Sequence, residues 1–221
     1  PSPEDFMAVY EGEEDMVFVV TLSQHLSGTY NSAVLARNLY YEEHPDSQKK
    51  IHVFSSDSAC CGEALIAFKI QEMAEAGASF EEIVEQVGDF RDHMNTYFVL
   101  ETLDFLRKNG RLTGLTAILA SALNIKPVMG ADHGVIIKLD QARGITKALN
   151  KLCDTVVQDA IKNGLNTKER ILGIVHCNCP ERAKSVKEQI CSRLSFKDVY
   201  VAPAAGVSSL YAGDGGIVIA L

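Results

Sequence analysis

Five consecutive apolar residues, at positions 16–20, are followed by a turn of small hydroxyl residues and then by a helical pattern. An apolar run without alternation predicts a β-strand buried on both faces, as in a parallel sheet. Ser27 and Gly28 fit the start of the helix, where the first backbone N–H groups lack intrahelical partners and the helix dipole is positive. The turn is therefore a candidate anion site, and simple capping of the helix by Ser27 is the alternative.

Strands and helices alternate along the whole chain, which predicts an α/β architecture. Further strands are predicted at 51–54, 97–100, 127–129, 135–137 and 171–176, with two short strands at the end of the chain. Helices are predicted at about 28–41 and across 183–194. Of the other predicted helices, one ends at Gly77, one begins at the capping box Ser79–Glu82, one follows Arg111 and one ends at Gly164. The residues at 130–134 join two strands and predict a hairpin.

The change in pattern near residues 92–96 predicts two domains. Residues 1–94 repeat the strand and helix order expected of a parallel sheet with helices on both faces. Residues 95–221 predict a second α/β domain with a mixed or largely antiparallel sheet. We expect the first domain to carry the anion site, because Ser23, Ser27 and the pair Asp57 and Ser58 follow the carboxyl ends of its strands.

Composition excludes several classes of partner. A net charge of −8 without a basic run argues against nucleic acid or an anionic membrane surface as a standing partner. The apolar stretch at 112–125 is too short and too interrupted by Thr and Ser to span a bilayer. Six cysteines, two of them adjacent at Cys60 and Cys61 and the rest scattered, do not form a disulfide framework in a chain of 221 residues. This pattern predicts a reducing cytoplasm.

The cluster His176, Cys177, Asn178 and Cys179 hints at a metal site. A zinc site needs two separated ligand pairs, and only two further cysteines lie nearby to supply the second. The alternative is the end of a strand that turns into a helix at Pro180. We therefore predict no metal and no cofactor.

Several motifs occur in one order along the chain and resemble those of the DegV family of bacterial fatty-acid-binding proteins. They are L-S-G-T-Y-N-S-A at 26–33, P-S-P-E-D-F at 1–6, D-S at 57–58, L-D-F-L-R-K-N-G-R-L at 103–112, L-N-I-K-P-V at 123–128, and Arg143 followed by Lys147 and Ala148. The first six residues resemble the end of the family segment T-S-x-P-S-x-x-x-F. We therefore expect the Thr of that segment and the first family strands to be absent from this sequence.

The resemblance implies a two-domain DegV-like α/β fold and a carrier function without catalysis. In the family, the protein presents a long-chain fatty acid to a separate fatty acid kinase, and the acyl phosphate made there goes to phospholipid synthesis. The sequence contains no P-loop, G-x-G-x-x-G or kinase signature, which is consistent with nucleotide chemistry in a partner. The implied partners are a fatty acid and the kinase, without nucleic acid or stable membrane insertion.

The resemblance also implies ligand contacts. Ser27 is expected to contact the fatty-acid head group, with backbone N–H groups of Gly28 and Thr29 beside it and Ser23 close by. Tyr211 stands where the family has a histidine, and we expect its phenol to complete the head-group site without titrating near neutral pH.

Three more positions are compared with the family pattern. Asp214 stands where the family has a proline. Arg111 resembles the family arginine at the mouth of the pocket, and a solvated surface cation is the alternative. Arg143 matches the family position linked to docking of the kinase.

Two enzyme classes remain as alternatives from the residues alone. A serine hydrolase could use Ser27 with one of six histidines, although the G-x-S-x-G elbow is missing. A small phosphometabolite enzyme could use the same anion site.

Overall fold

The computed structural model describes residues 1–112 and 124–221. Its helices are α1 Pro3–Tyr10, α2 Thr29–Glu43, α3 Cys61–Glu75, α4 Phe80–Asp92, α5 Asp104–Lys108, α6 Ile145–Lys162, α7 Pro180–Cys191 and α8 Gly206–Ala212, with a 3₁₀ turn at Thr167–Glu169. Its strands are β1 Met16–Thr21, β2 Lys50–Ser55, β3 Thr96–Val99, β4 Ile125–Asp132, β5 Val135–Arg143, β6 Ile171–His176, β7 Asp198–Pro203 and β8 Ile217–Ala220. The helix predicted after Arg111 lies outside the described residues.

The chain divides into two compact units. The first comprises 1–59, 66–93 and 133–135, and the second comprises 60–65, 94–132 and 136–221. The first unit holds a two-stranded parallel sheet of β1 and β2. The second holds a six-stranded sheet in the order β5-β4-β3-β8-β6-β7. The α/β prediction with a parallel first sheet and a mixed second sheet is confirmed.

In the first unit, helices α1 and α2 pack together on one side of the small sheet. Tyr10 is completely buried and its hydroxyl donates to the Ala33 carbonyl at 3.0 Å. Strand β1 was expected to be buried on both faces, and this expectation is wrong. Met16 is exposed and the next four residues are only partly buried, because β2 is the single strand paired with β1 among the described residues.

Two local signals act as predicted in this unit. Helix α4 begins after a capping box in which the Ser79 hydroxyl accepts from the Glu82 N–H and the Glu82 carboxylate accepts from the Ser79 N–H. Ile83 and Val87 on the same helix are completely buried. The capping residues and the apolar spacing together fix where α4 begins and which face it buries.

The core of the second unit lies against the six-stranded sheet. Helix α6 buries residues at helical spacing, and these include Leu149, Leu152 and Val156. Strand β8 lies between β3 and β6 and is antiparallel to both, while β6 and β7 are parallel. Strands β5 and β7 are the two edges of this sheet.

Candidate ligand-binding site

The carboxyl ends of β1 and β2 meet at one edge of the parallel sheet. The Ser56 N–H donates to the Thr21 carbonyl at 3.0 Å, and the Ser23 N–H donates to the Ser58 carbonyl at 3.0 Å. The segments that leave the two strands are therefore joined directly by backbone hydrogen bonds. This arrangement confirms that Ser23 and Ser58 follow neighbouring strand ends, where ligands bind in open parallel sheets.

The loop from Ser23 to the start of α2 is held by a compact set of hydrogen bonds. The Ser23 carbonyl accepts from the N–H groups of Leu26 and Ser27 at 2.9 and 3.1 Å. The Ser27 hydroxyl accepts from the Thr29 N–H at 3.3 Å, and its oxygen lies 2.7 Å from Thr29 Oγ1. Ser27 thus provides a partner for one N–H group of the first turn, as a helix cap does.

The amino end of α2 is suited to an anion. Gly28 occupies the N-cap position, is exposed and supplies no side-chain cap. The first turn of this 15-residue helix contains no acidic residue, so no carboxylate there offsets the positive end of the helix dipole. A Cβ atom placed on Gly28 would meet no atom within 4 Å. The exposed Gly28 therefore leaves room for a carboxylate or phosphate oxygen at this helix end.

Ser23 is completely buried, and its hydroxyl is used inside the first unit. It donates to the Gly134 carbonyl at 2.9 Å and accepts from the His25 N–H at 3.2 Å. These bonds make Ser23 part of the loop's own structure. Its direct contact with a ligand stays a prediction.

Asp57 lies beside the same strand ends in a left-handed backbone conformation, with φ of 51°. Its Oδ1 accepts from the Ser55 hydroxyl at 2.8 Å, and its Oδ2 lies 3.8 Å from Nε of Arg91. Ser55 Oγ in turn accepts from the Gln24 N–H at 3.1 Å. The carboxylate of Asp57 is thus committed to a hydroxyl and a guanidinium, which limits its repulsion of a nearby anion.

Tyr211 lies on α8 in the second unit and is partly buried. Its hydroxyl makes no hydrogen bond to any other part of the described chain. Three residues further on, the Asp214 carboxylate accepts from the Asn178 side-chain amide at 2.8 Å. The Asp that replaces the family proline therefore anchors the turn after α8. The role of Tyr211 toward a head group stays a prediction.

A charged network, which the sequence did not indicate, holds the same turn. Arg182 donates to the Gly215 carbonyl at 2.9 Å and pairs with Glu101 at 2.8 Å. Lys126 pairs with the other carboxylate oxygen of Glu101 at 2.9 Å. Burial alone would raise the pKa of Glu101, but the hydrogen bonds from Lys126 and Arg182 hold it below its usual value.

The two arginines singled out by the family pattern lie in the second unit. Arg111 is exposed and follows the turn after α5, where its guanidinium donates to the carbonyl of Asn109. Arg143 is exposed at the end of β5, an edge strand of the six-stranded sheet. Their expected roles at a pocket mouth and at a partner surface stay predictions.

A partly buried carboxyl at the start of α3 was not predicted from the sequence either. Glu63 accepts from the Cys60 N–H at 3.0 Å, as an acidic residue does in a capping box. Burial raises the pKa of Glu63 to about 7 and also raises the pKa of the Cys60 thiol. The sequence did contain a signal for this hydrogen bond, because an acidic residue in the first turn of a helix can accept from N–H groups that lack intrahelical partners.

The His176 to Cys179 segment adopts the strand-to-helix alternative. Strand β6 ends at His176, α7 begins at Pro180, and His176 Nδ1 accepts from the Cys179 N–H at 3.3 Å. In residues 1–112 and 124–221, no three His, Cys, Asp or Glu side chains are grouped so that they could hold a metal ion. The same residues contain no helix that is both long and apolar enough to cross a membrane.

Comparison with known proteins places this geometry in a family. A DegV family model matches residues 1–221. A DegV domain-containing protein of Streptococcus pneumoniae is 34% identical over 220 residues, which cover 99% of this chain and 75% of that protein. The chain therefore belongs to the DegV family.

Two solved structures are similar over the full length of this chain. A DegV family protein from Ruminococcus gnavus, solved with vaccenic acid, has a TM-score of 0.94 and 49% identity, with 77% of its own chain covered. The Fatty Acid Kinase (Fak) B3 protein of Streptococcus pneumoniae, loaded with linoleic acid, has a TM-score of 0.84 and 32% identity, with 75% of its chain covered. DegV proteins of known structure thus bind fatty acids.

Proposed function

We propose that this protein is a fatty-acid carrier that presents its ligand to a separate fatty acid kinase. The observation that carries the proposal is the similarity along the whole chain to the Ruminococcus gnavus protein solved with vaccenic acid, at 49% identity. Such similarity supports a shared ligand class, because the fold and nearly half of the side chains are common to both. The name of the Fatty Acid Kinase (Fak) B3 protein of Streptococcus pneumoniae supports a kinase as the partner.

The carboxylate of the fatty acid is assigned to the amino end of α2. Ser27 would donate its hydroxyl hydrogen, and the N–H groups of Gly28 and Thr29 would lie beside the oxygen atoms. The helix dipole and the absence of an acidic residue from this first turn favour a negative charge there. Tyr211 is assigned as a further donor to the carboxylate or to its phosphate, and Arg111 as a cation near the entrance.

The energy of binding would come chiefly from the acyl tail. Each methylene removed from water contributes about 0.8 kcal/mol, so a tail with ~14 methylenes gains roughly 11 kcal/mol before the cost of ordering. The head group then needs only a few hydrogen bonds to set its orientation. Hydroxyls and a helix terminus can meet this need without a buried cation.

The contacts of Ser27 favour a carrier over a hydrolase. A serine nucleophile is activated by a general base within hydrogen-bonding distance. Within the described ranges, the Ser27 hydroxyl pairs with Thr29 and not with a histidine. The same hydroxyl is well suited to binding a carboxylate without reacting with it.

Replacing Ser27 with Ala is expected to weaken fatty-acid binding by about 1–2 kcal/mol, since one hydrogen bond to a charged group is lost. Calorimetric titration of the delipidated protein would measure the change. Ser32→Ala on the same helix, beyond its first turn, is the matched control and should retain the wild-type affinity. Equal affinities of wild type and Ser27→Ala, with a loss of ligand-free stability, would reduce Ser27 to a helix cap.

Replacing Arg143 with Glu is expected to slow acyl-phosphate formation by the cognate kinase while fatty-acid affinity stays near the wild-type value. Arg143→Ala should slow it less, because charge reversal adds repulsion to a lost attraction, and added salt should reduce the difference. The control is Lys162→Glu, an exposed charge reversal at the end of α6. Equal turnover with wild type and Arg143→Glu would remove Arg143 from the docking surface.

A further inference from the structure

The turn between β4 and β5 lies against the loop that leads into α2. His133 and Gly134 form this turn with φ values of 44° and 79°, which is the left-handed pair that a two-residue hairpin turn requires. Residues 133–135 belong to the first unit, and Gly134 is buried there. The turn therefore joins two strands and also packs within the first unit.

Gly134 makes a close approach that only glycine permits. A Cβ atom at this position would lie 2.5 Å from Ser23 Oγ, 3.0 Å from Asp57 Cα and 3.1 Å from Asp57 Oδ1. Separations under about 3 Å between such heavy atoms are repulsive, so either the Ser23 side chain or the turn would have to move. The missing side chain leaves the space in which the Ser23 hydroxyl reaches the Gly134 carbonyl at 2.9 Å.

Ser23 also makes hydrogen bonds to the loop that carries Ser27, so it links the Gly134 turn to this loop. Its hydroxyl accepts from the His25 N–H, and its carbonyl accepts from the N–H groups of Leu26 and Ser27. A shift of Ser23 would therefore change the position of Ser27. Ser23 is completely buried, so solvent cannot replace the hydrogen bond that it donates to Gly134.

We propose that Gly134 is a positioning residue for the head-group site, because its carbonyl and its lack of a side chain hold Ser23 and thereby the loop from Ser23 to Gly28. This inference rests on the proposed function, since it assigns the head group to that loop. Gly134 itself does not contact the ligand. It acts through Ser23, which fixes the direction in which the Ser27 hydroxyl and the first N–H groups of α2 point.

The first test compares two glycines with nearly equal positive φ angles and unequal surroundings. Gly77 has φ of 81° and a Cβ there would meet nothing within 4 Å, so Gly77→Ala introduces the strain of a left-handed alanine without a clash. Gly134→Ala introduces the same strain and the clash with Ser23. In a titration with oleic acid, Gly134→Ala should bind about tenfold more weakly or worse, as for a displaced charge-assisted hydrogen bond, while Gly77→Ala should bind like wild type.

A rescue variant separates positioning from general damage. Ser23→Ala combined with Gly134→Ala removes Ser23 Oγ, the closest atom to the new methyl group at 2.5 Å, and leaves only the milder contacts with Asp57 at 3.0 and 3.1 Å. The double variant should therefore bind more tightly than Gly134→Ala alone. Equal weakening in the two glycine variants, or no recovery in the double variant, would overturn the proposal. If Gly134→Ala does not fold, the double variant must fold and bind like Ser23→Ala for the proposal to stand.

Amide hydrogen exchange in the ligand-free protein distinguishes this proposal from the proposed function. Ser23→Ala should speed exchange at Leu26 and Ser27, whose N–H groups bond to the Ser23 carbonyl, while Ser32→Ala should leave both unchanged. Unchanged exchange at both amides in Ser23→Ala would contradict the positioning role. A wild-type protein that binds no oleic acid would overturn the proposed function and the head-group part of this inference. The exchange result needs no ligand and tests separately whether Ser23 holds the loop.

Discussion

Truncation of Ile219 to Ala is expected to lower the free energy of unfolding by about 2–5 kcal/mol, the usual cost of deleting a large aliphatic side chain from a core. Ile219 is completely buried on β8, where it is paired with Tyr97 of β3 and Ile174 of β6. Strand partners on both sides limit how far the structure can collapse into the cavity. A large part of the total stability of a single domain would be lost.

The matched control for this prediction is Ile161→Ala on α6. Ile161 is 66% exposed, and surface substitutions of this kind usually change stability by less than about 0.5 kcal/mol. Urea unfolding followed by circular dichroism would give both values, since the midpoint and slope yield the free energy of unfolding. A loss below about 1 kcal/mol for Ile219→Ala would show that β8 does not lie at the centre of a packed sheet.

Replacement of Glu63 by Gln is expected to remove a pH dependence of stability. Burial raises the pKa of Glu63 from 4.5 to about 7 in the folded protein. Between these values the folded state holds a proton that the unfolded state has released, so stability falls as the pH rises through this range. A tenfold difference in proton affinity is worth about 1.4 kcal/mol, which gives a total of about 3 kcal/mol by pH 8.

Unfolding free energies at several pH values from 4.5 to 8 would test this prediction. Glu63→Gln keeps the size of the side chain and an oxygen atom that can accept from the Cys60 N–H. Relative to this variant, wild type should lose about 3 kcal/mol across the range, while Glu75→Gln at the exposed end of the same helix should follow the wild-type curve. Parallel curves for wild type and Glu63→Gln would show that the carboxyl ionises as freely in the folded state as in the unfolded one.

Local sequence signals predicted most of the regular structure. The capping box at Ser79 and the apolar spacing of Ile83 and Val87 define α4, because both act within a few residues of the chain. A hairpin was expected at 130–134 for the same reason. Its turn is shorter than expected and consists of His133 and Gly134, because residues 130–132 continue β4. The amphipathic helix α1 was missed, although Ser2 and Pro3 provide a cap and a favourable first residue.

Burial was harder to predict than secondary structure. The apolar residues of β1 favoured a strand with both faces covered, yet the strand is only partly buried. The composition of a strand reports the average environment of its residue types, whereas burial depends on which other elements pack against it. In β8, by contrast, all four residues are buried.

The contacts that shape the candidate site join distant parts of the sequence. Ser23 and Gly134 are separated by 111 residues, and Arg182 reaches both Glu101 and Gly215. No local periodicity or turn pattern carries such information. Ser27 and Gly28 were recognisable because a hydroxyl and a glycine before a helix form a local signal. The parts of the site built by long-range contacts required the structure.

The most direct test of the account is mass spectrometry of lipids released from the purified protein by denaturation, after incubation with an excess of oleic acid and removal of unbound lipid. We expect about one long-chain fatty acid per chain, because the tail supplies most of the affinity and one helix terminus receives the carboxylate. Ser27→Ala should retain less of the ligand than Ser32→Ala after the same removal step. Recovery of no fatty acid from the folded wild-type protein would contradict the central claim that this chain carries one.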